Sequence, residues 1–329
     1  MKVGILGATG AVGREMLNSL IEYDLPVEEL RLFASKRSLG TKLKFKDQEI
    51  EVREADAEGF KGLDYVLGAV SNELSKENWP LIKEAGAIYV DNSSAFRLMD
   101  DVPLVVPEIN GEDALKHKGL IANPNCSTII SMMAVAPINQ LSKIDYMVAT
   151  TYQAVSGAGN KGIEALEREV EQLRNNEEIT PDVFPKQIAY NCIAQIGSYL
   201  DNGYTTEEMK MQNEGRKILH LPELKVTCTC VRVPVYRSHS IAVTLVTEKK
   251  LDLDEVKEAI RQFPHLKLYE EGELPTPLEA SDQNDVYVGR IRRDLTNEKG
   301  ITLWCCGDQI RKGAAANAVE IIDYLEKHK

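Results

Sequence analysis

The chain has 329 residues, with 39 Lys+Arg against 51 Asp+Glu, a formal charge of −12 and 43% hydrophobic residues. This composition excludes wholesale disorder, and the length fits about two domains with cores large enough to need no cross-links. An acidic surface repels phosphate backbones, so a nucleic-acid partner is disfavoured.

Val3–Leu6 is expected as a strand and Gly13–Tyr23 as a helix with Met16, Leu17, Leu20 and Ile21 on one face. Between them lies Gly7-Ala8-Thr9-Gly10-Ala11-Val12-Gly13. Glycines at a strand-to-helix turn let the backbone approach a pyrophosphate, and the helix start adds free N–H groups and partial positive charge. A tight turn that serves packing alone is the alternative. Glu29–Ala34 reads as the second strand and continues into Ser35-Lys36-Arg37-Ser38. An NAD site places a carboxylate near here, on the ribose hydroxyls. None is present, while Arg37 and the Ser35 and Ser38 hydroxyls suit a 2′-phosphate, which favours NADP over a merely solvated basic loop.

Tyr65–Ala69 and Ile88–Asp91 read as further strands, with a helix over Leu74–Ala85 between them. Alternating strands and helices indicate an α/β fold: a Rossmann-type doubly wound parallel sheet domain. The next motif is Ala122-Asn123-Pro124-Asn125-Cys126-Ser127-Thr128, leading into an apolar helical run. Cys126 is thereby placed at a helix N-terminus, where the dipole favours thiolate and free N–H groups can bind an oxyanion. A buried structural cysteine is the bland alternative.

Lys161–Asn175 and Leu253–Phe263 have helical periodicity, while Val226–Val233 and Ser240–Thr247 read like antiparallel strands. The alanine-rich Gly313–Lys329 is an amphipathic helix whose basic end suits its dipole. This pattern indicates an inserted α+β domain, followed by a helix expected to return to the first domain. The expected division is 1–127 plus 308–329 against 128–307. Met1-Lys2 runs directly into Val3–Leu6, too short a run for an export signal, and the longest apolar stretch, Thr128–Ile138, is about half a ~20-residue membrane span. The six cysteines form no CxxC pair. A reduced, cytoplasmic protein with no metal site and no membrane partner is expected.

Taken in order, GATGAVG, SKRS, DNSSAFR, NPNCST, QAVSGAG and the seven-residue step from Arg232 to His239 resemble the aspartate-semialdehyde dehydrogenase family over essentially the whole chain. The resemblance implies NADP- and phosphate-dependent interconversion of L-aspartate 4-semialdehyde and L-4-aspartyl phosphate, on the way to lysine, methionine and threonine. It makes Cys126 the nucleophile, forming a thiohemiacetal and then an acyl-thioester, with His239 as acid/base partner and Gln153 orienting the substrate. Arg232 would clamp the α-carboxylate and Glu214 recognise the amine, while Arg97 and Lys217 bind phosphate. Gly7, Thr9, Gly10, Ala11, Val12, Gly13, Ser35, Arg37, Ser38, Ser156, Gly157 and Gln309 would contact NADP. A homodimer or homotetramer is implied, with the inserted α+β domain serving catalysis and dimerisation. The alternatives are an N-acetyl-gamma-glutamyl-phosphate reductase-like enzyme and a non-catalytic NADP-binding regulator.

Overall fold

In the computed structural model, which describes residues 1–329, β1 (Lys2–Leu6) is flanked in parallel by β2 (Glu29–Phe33) and β5 (Tyr65–Gly68). Beyond β5 lie β6 (Ile88–Asp91) and β7 (Leu120–Ala122), also parallel. On the other side β2 joins a hairpin, β3 (Lys42–Phe45) and β4 (Gln48–Arg53), giving the order β3-β4-β2-β1-β5-β6-β7. The chain leaves β1 toward one side and later returns to the other, so β1 ends at a topological switch point, where ligands bind in open parallel sheets.

Helix α1 (Ala11–Glu22) and the C-terminal helix Ala316–Lys327 pack together, and their apolar faces share one core with β1 and β2. The short α2 (Ala57–Phe60) and α4 (Pro107–Asn110) are connectors, and α3 (Asn72–Glu84) sets Trp79 against Tyr89 of β6. This unit comprises Met1–Asn125 and Gly313–Lys329. The tail is sewn in by polar bonds: Asn317 Nδ2 donates to the Val105 carbonyl at 2.9 Å and to Asn123 Oδ1 at 2.7 Å.

The second unit, Cys126–Lys312, holds a mixed six-stranded sheet. Its strands are β8 (Ile144–Gln153), β9 (Lys225–Arg232), β10 (His239–Thr247), β11 (Leu266–Leu268), β12 (Val286–Arg293) and β13 (Gly300–Gly307), in the order β11-β12-β13-β10-β8-β9. Its helices are α5 (Cys126–Leu141), α6 (Asn160–Arg174), α7 (Thr206–Ile218), α8 (Leu253–Gln262) and α9 (Pro277–Ala280). Helix α5 is apolar nearly all round, as its burial requires. From Tyr146 onward β8 alternates strictly: Met147, Ala149, Thr151 and Gln153 are buried, while Tyr146, Val148 and Tyr152 are exposed.

Two expectations are corrected. β9, expected as an antiparallel strand, pairs with β8 alone among the strands, and in parallel, whereas β10 is antiparallel to both of its neighbours, β8 and β13, as expected. Because β8 lies between β9 and β10, residues 233–238 cross over it. The boundary also shifts, because Cys126, Ser127 and residues 308–312 belong to the second unit. Cys126 opens α5, and the buried Asp308 carboxylate accepts from the backbone N–H groups of Asp282, Ile310 and Arg311 and from Arg237 Nε, tying that turn down.

Candidate active site

In the first unit, the turn after β1 is shaped by two glycines. Gly7 has φ +88°, and a Cβ there would run into the Ala69 carbonyl. A Cβ on Gly13 would strike the Gly7 carbonyl, so helix and turn pack backbone to backbone. Gly10 starts α1 without a side-chain cap. The first-turn N–H groups at Ala11, Val12 and Gly13 therefore sit on a helix start suited to a phosphate. Thr9 Oγ1 donates to Ser38 Oγ at 3.3 Å, joining this turn to the loop after β2, where Ser35 and Arg37 are exposed. An uncapped helix start beside an exposed arginine and hydroxyls fits a dinucleotide. Arg97, also in this unit, is buried, with Nε donating to the Asn123 carbonyl and Nη2 to the Asn92 carbonyl, each at 2.9 Å.

In the second unit, three strands and two helices bring a constellation together. Cys126, the first residue of α5, is partly exposed, and its Sγ lies 3.4 Å from Nε2 of His239, the first residue of β10. The imidazole is buried, and its Nδ1 accepts the Ala154 N–H at 3.1 Å. Burial first, and the Arg232 charge second, pull the His239 pKa down to about 3, against an opposing pull from Glu207.

Arg232 ends β9 directly beside Gln153 at the end of β8. Its Nη1 donates to the Ala154 carbonyl at 2.6 Å, its guanidinium lies 5.7 Å from the Phe184 ring centroid, and its buried Nε has no partner. A buried guanidinium N–H left open is costly unless a ligand fills it. Burial lowers the Arg232 pKa, and the nearby Glu207 carboxylate opposes the shift. Gly157 closes against this pair, since a Cβ there would stand 2.7 Å from Arg232 Nη1 and 3.4 Å from His239 Cε1.

The carboxylate against Gln153 is Glu207, whose Oε1 accepts from Gln153 Nε2 at 3.4 Å and whose Oε2 pairs with Lys210 at 2.8 Å. Glu214 and Lys217 lie two turns further along α7, about 10 Å along its axis. Sequence reasoning missed Glu207 and Lys210, although they repeat the Glu-x-x-Lys spacing seven residues earlier on the same helix. Ser156 and Gln309 are both buried and bonded to each other: Gln309 Nε2 donates to Ser156 Oγ, and its Oε1 accepts the Ser238 N–H at 2.7 Å.

A partly exposed thiol against an imidazole, next to a buried, unfilled arginine, is equipped to add sulfur to the carbonyl of an anionic substrate. No helix is long and apolar enough to cross a membrane.

Residues 2–117 match the semialdehyde dehydrogenase NAD binding domain, and residues 135–312 match the semialdehyde dehydrogenase dimerisation domain. The aspartate-semialdehyde dehydrogenase of Bacillus subtilis is 42% identical over 338 residues, covering 99% of this chain and 98% of that one. A crystal structure of aspartate semialdehyde dehydrogenase II from Vibrio cholerae, complexed with ASA, superposes with a TM-score of 0.96 at 41% identity, covering 99% of this chain and 98% of that one. The Candida albicans enzyme, crystallised with NADP, gives a TM-score of 0.75 at 25% identity, covering 99% and 98% respectively. These whole-length likenesses favour neither the acetyl-glutamyl-phosphate reductase nor the regulator alternative. Matched in both domains and along its whole length, the chain belongs to the aspartate-semialdehyde dehydrogenase family.

Proposed function

We propose that the chain interconverts L-aspartate 4-semialdehyde and L-4-aspartyl phosphate, using NADP and inorganic phosphate, through a thioester on Cys126. The observation that carries this reading is the 3.4 Å approach of Cys126 Sγ to His239 beside the open Nε of Arg232.

In the oxidative direction the Cys126 thiolate adds to the aldehyde carbon, and its charge passes to the carbonyl oxygen. Bound nicotinamide supplies the acceptor for the hydride that leaves this carbon. The acyl group stays on sulfur until phosphate attacks and expels the thiolate. Arg232 holds the α-carboxylate, its unfilled Nε giving one arm of a fork. Glu207, in place of the expected Glu214, takes the α-ammonium, and Gln153 orients the chain between them. Lys210, in place of Lys217, supplies positive charge for phosphate, a role the resemblance also gives to Arg97. Gly7 to Gly13 hold the dinucleotide phosphates, and Arg37 with Ser35 and Ser38 holds the 2′-phosphate that distinguishes NADP.

The chain works as a homodimer or homotetramer, and the exposed Tyr146, Val148 and Tyr152 on β8 supply an apolar face for that contact. The decisive assay is reduction of NADP with aspartate semialdehyde, with and without phosphate. Turnover that needs phosphate and disappears in Cys126→Ala, while that variant still binds NADPH, is the expected result. Phosphate-independent turnover, or activity retained without the thiol, overturns the reading.

A further inference from the structure

Between α6 and α7 the chain runs through residues 175–205 without a helix or a strand of its own. A segment this long becomes ordered only where specific bonds offset its lost entropy. Arg168 of α6 pairs with Asp182 on one side. The Glu169 carboxylate, only 1% exposed, accepts the consecutive N–H groups of Ile188 and Ala189 at 2.7 and 2.9 Å. Further on, Ile193 exchanges two backbone bonds with Arg232, at 3.0 and 2.8 Å. Ile188, Ala189 and Ile193 form a small core with Val155 and Leu166, and Phe184 packs against it. The chain is thus fastened on both sides of Phe184, whose ring faces the Arg232 guanidinium with its centroid 5.7 Å from Cζ.

We infer that Phe184 is a positioning residue for substrate binding: its ring covers one face of the Arg232 guanidinium, keeps water off it and holds its N–H edge toward the substrate carboxylate. This rests on Arg232 being the carboxylate clamp. All the N–H bonds of a guanidinium lie in its plane, so an aromatic ring on the face takes none of them. Nη1 keeps the Ala154 carbonyl, and Nε stays open to a ligand. An ion pair in such a covered site is stronger, and less screened by salt, than one in contact with water. The substrate carries one carboxylate and one ammonium, so its long-range attraction nearly cancels. Salt therefore reports on the local contact.

The test is steady-state kinetics with aspartate semialdehyde at saturating NADP and phosphate. Phe184→Ala is expected to raise KM for the semialdehyde roughly 10-fold and leave kcat within about 2-fold, the scale of one desolvated cation–π contact. Its KM should also climb as KCl is raised from about 0.05 to about 0.5 M, while the parent KM stays nearly flat. Phe184→Leu keeps the small core filled but has no aromatic face, and is expected to raise KM about 3-fold. It decides alone if the alanine variant does not fold. Parent-like KM and salt response in the folded variants, or a loss confined to kcat, overturns the inference. Arg232→Gln, measured alongside, tells the two readings apart. A raised KM there with parent-like Phe184 variants rejects the role of the ring alone, whereas an unchanged KM in Arg232→Gln rejects the clamp itself.

Discussion

Gly157 and Arg232 meet so closely that a Cβ on the glycine would lie 2.7 Å from Nη1 of the arginine. Arginine ends usually swing clear of such contacts. Arg232 is only 6% exposed and is anchored to the Ala154 carbonyl, so yielding means breaking that bond. Gly157→Ala is therefore expected to misplace the guanidinium and reduce kcat/KM by up to about 100-fold, chiefly through KM. Some thermal stability should be lost as well, because the displaced guanidinium gives up a buried, charge-assisted bond. Steady-state kinetics with a melting curve checks both parts, and unchanged KM would remove Gly157 from the site.

Much of this arrangement was legible in the chain. The glycine turn after β1 and the cysteine at a helix start each join a local backbone requirement to a chemical one. The seven-residue step from Arg232 to His239 could be recognised only by resemblance, because the two ends belong to strands separated by β8. Glu207 was not legible for a different reason. Helix α7 carries Glu-x-x-Lys twice, at 207/210 and 214/217, with the same spacing. The heptad step is about two turns, so both pairs project from nearly the same face. Only the docking of α7 on β9 decides which pair meets Gln153.

Substitution separates the two glutamates. Glu207→Gln keeps the volume but removes the charge facing Arg232 and Gln153, and it is expected to reduce kcat/KM for the semialdehyde at least about 10-fold. Glu214→Gln should leave KM within about 2-fold, any effect appearing in stability. The opposite ranking, measured under saturating phosphate, would return the amine to Glu214.

Arg37 stands exposed in the turn after β2, bonded to nothing that α1 or the sheet requires. Arg37→Ala is expected to weaken NADPH by roughly 10–100-fold, the scale of charge-assisted hydrogen bonds to one phosphate, while NADH changes less than about 2-fold. Fluorescence titration of both cofactors reads this directly. Parallel losses would mean a general effect on the turn.

Acid should weaken the fold through His239. Its native pKa of about 3 lies below the ~6.5 of an unfolded histidine. Between those values the unfolded chain binds the extra proton, so stability falls as pH falls, by about 1.4 kcal/mol per pH unit from this group. Urea melts at pH 6.5 and pH 5 should show the wild type losing about 2 kcal/mol more than His239→Gln over that interval. Matched losses would show that the ring does not titrate alone on unfolding.

The remaining sulfurs are set apart by where the sheet puts them. Cys228, Cys230, Cys305 and Cys306 lie at 0–2% exposure. Burial raises the thiols of Cys305 and Cys306, and that of Cys228 rises through the facing Cys230 as well as by burial. Cys126 and the exposed Cys192 alone face the medium. Toward an electrophile the folded chain is thus a two-thiol molecule. Replacing Cys192 would leave Cys126 as the single handle for a fluorophore or crosslinker.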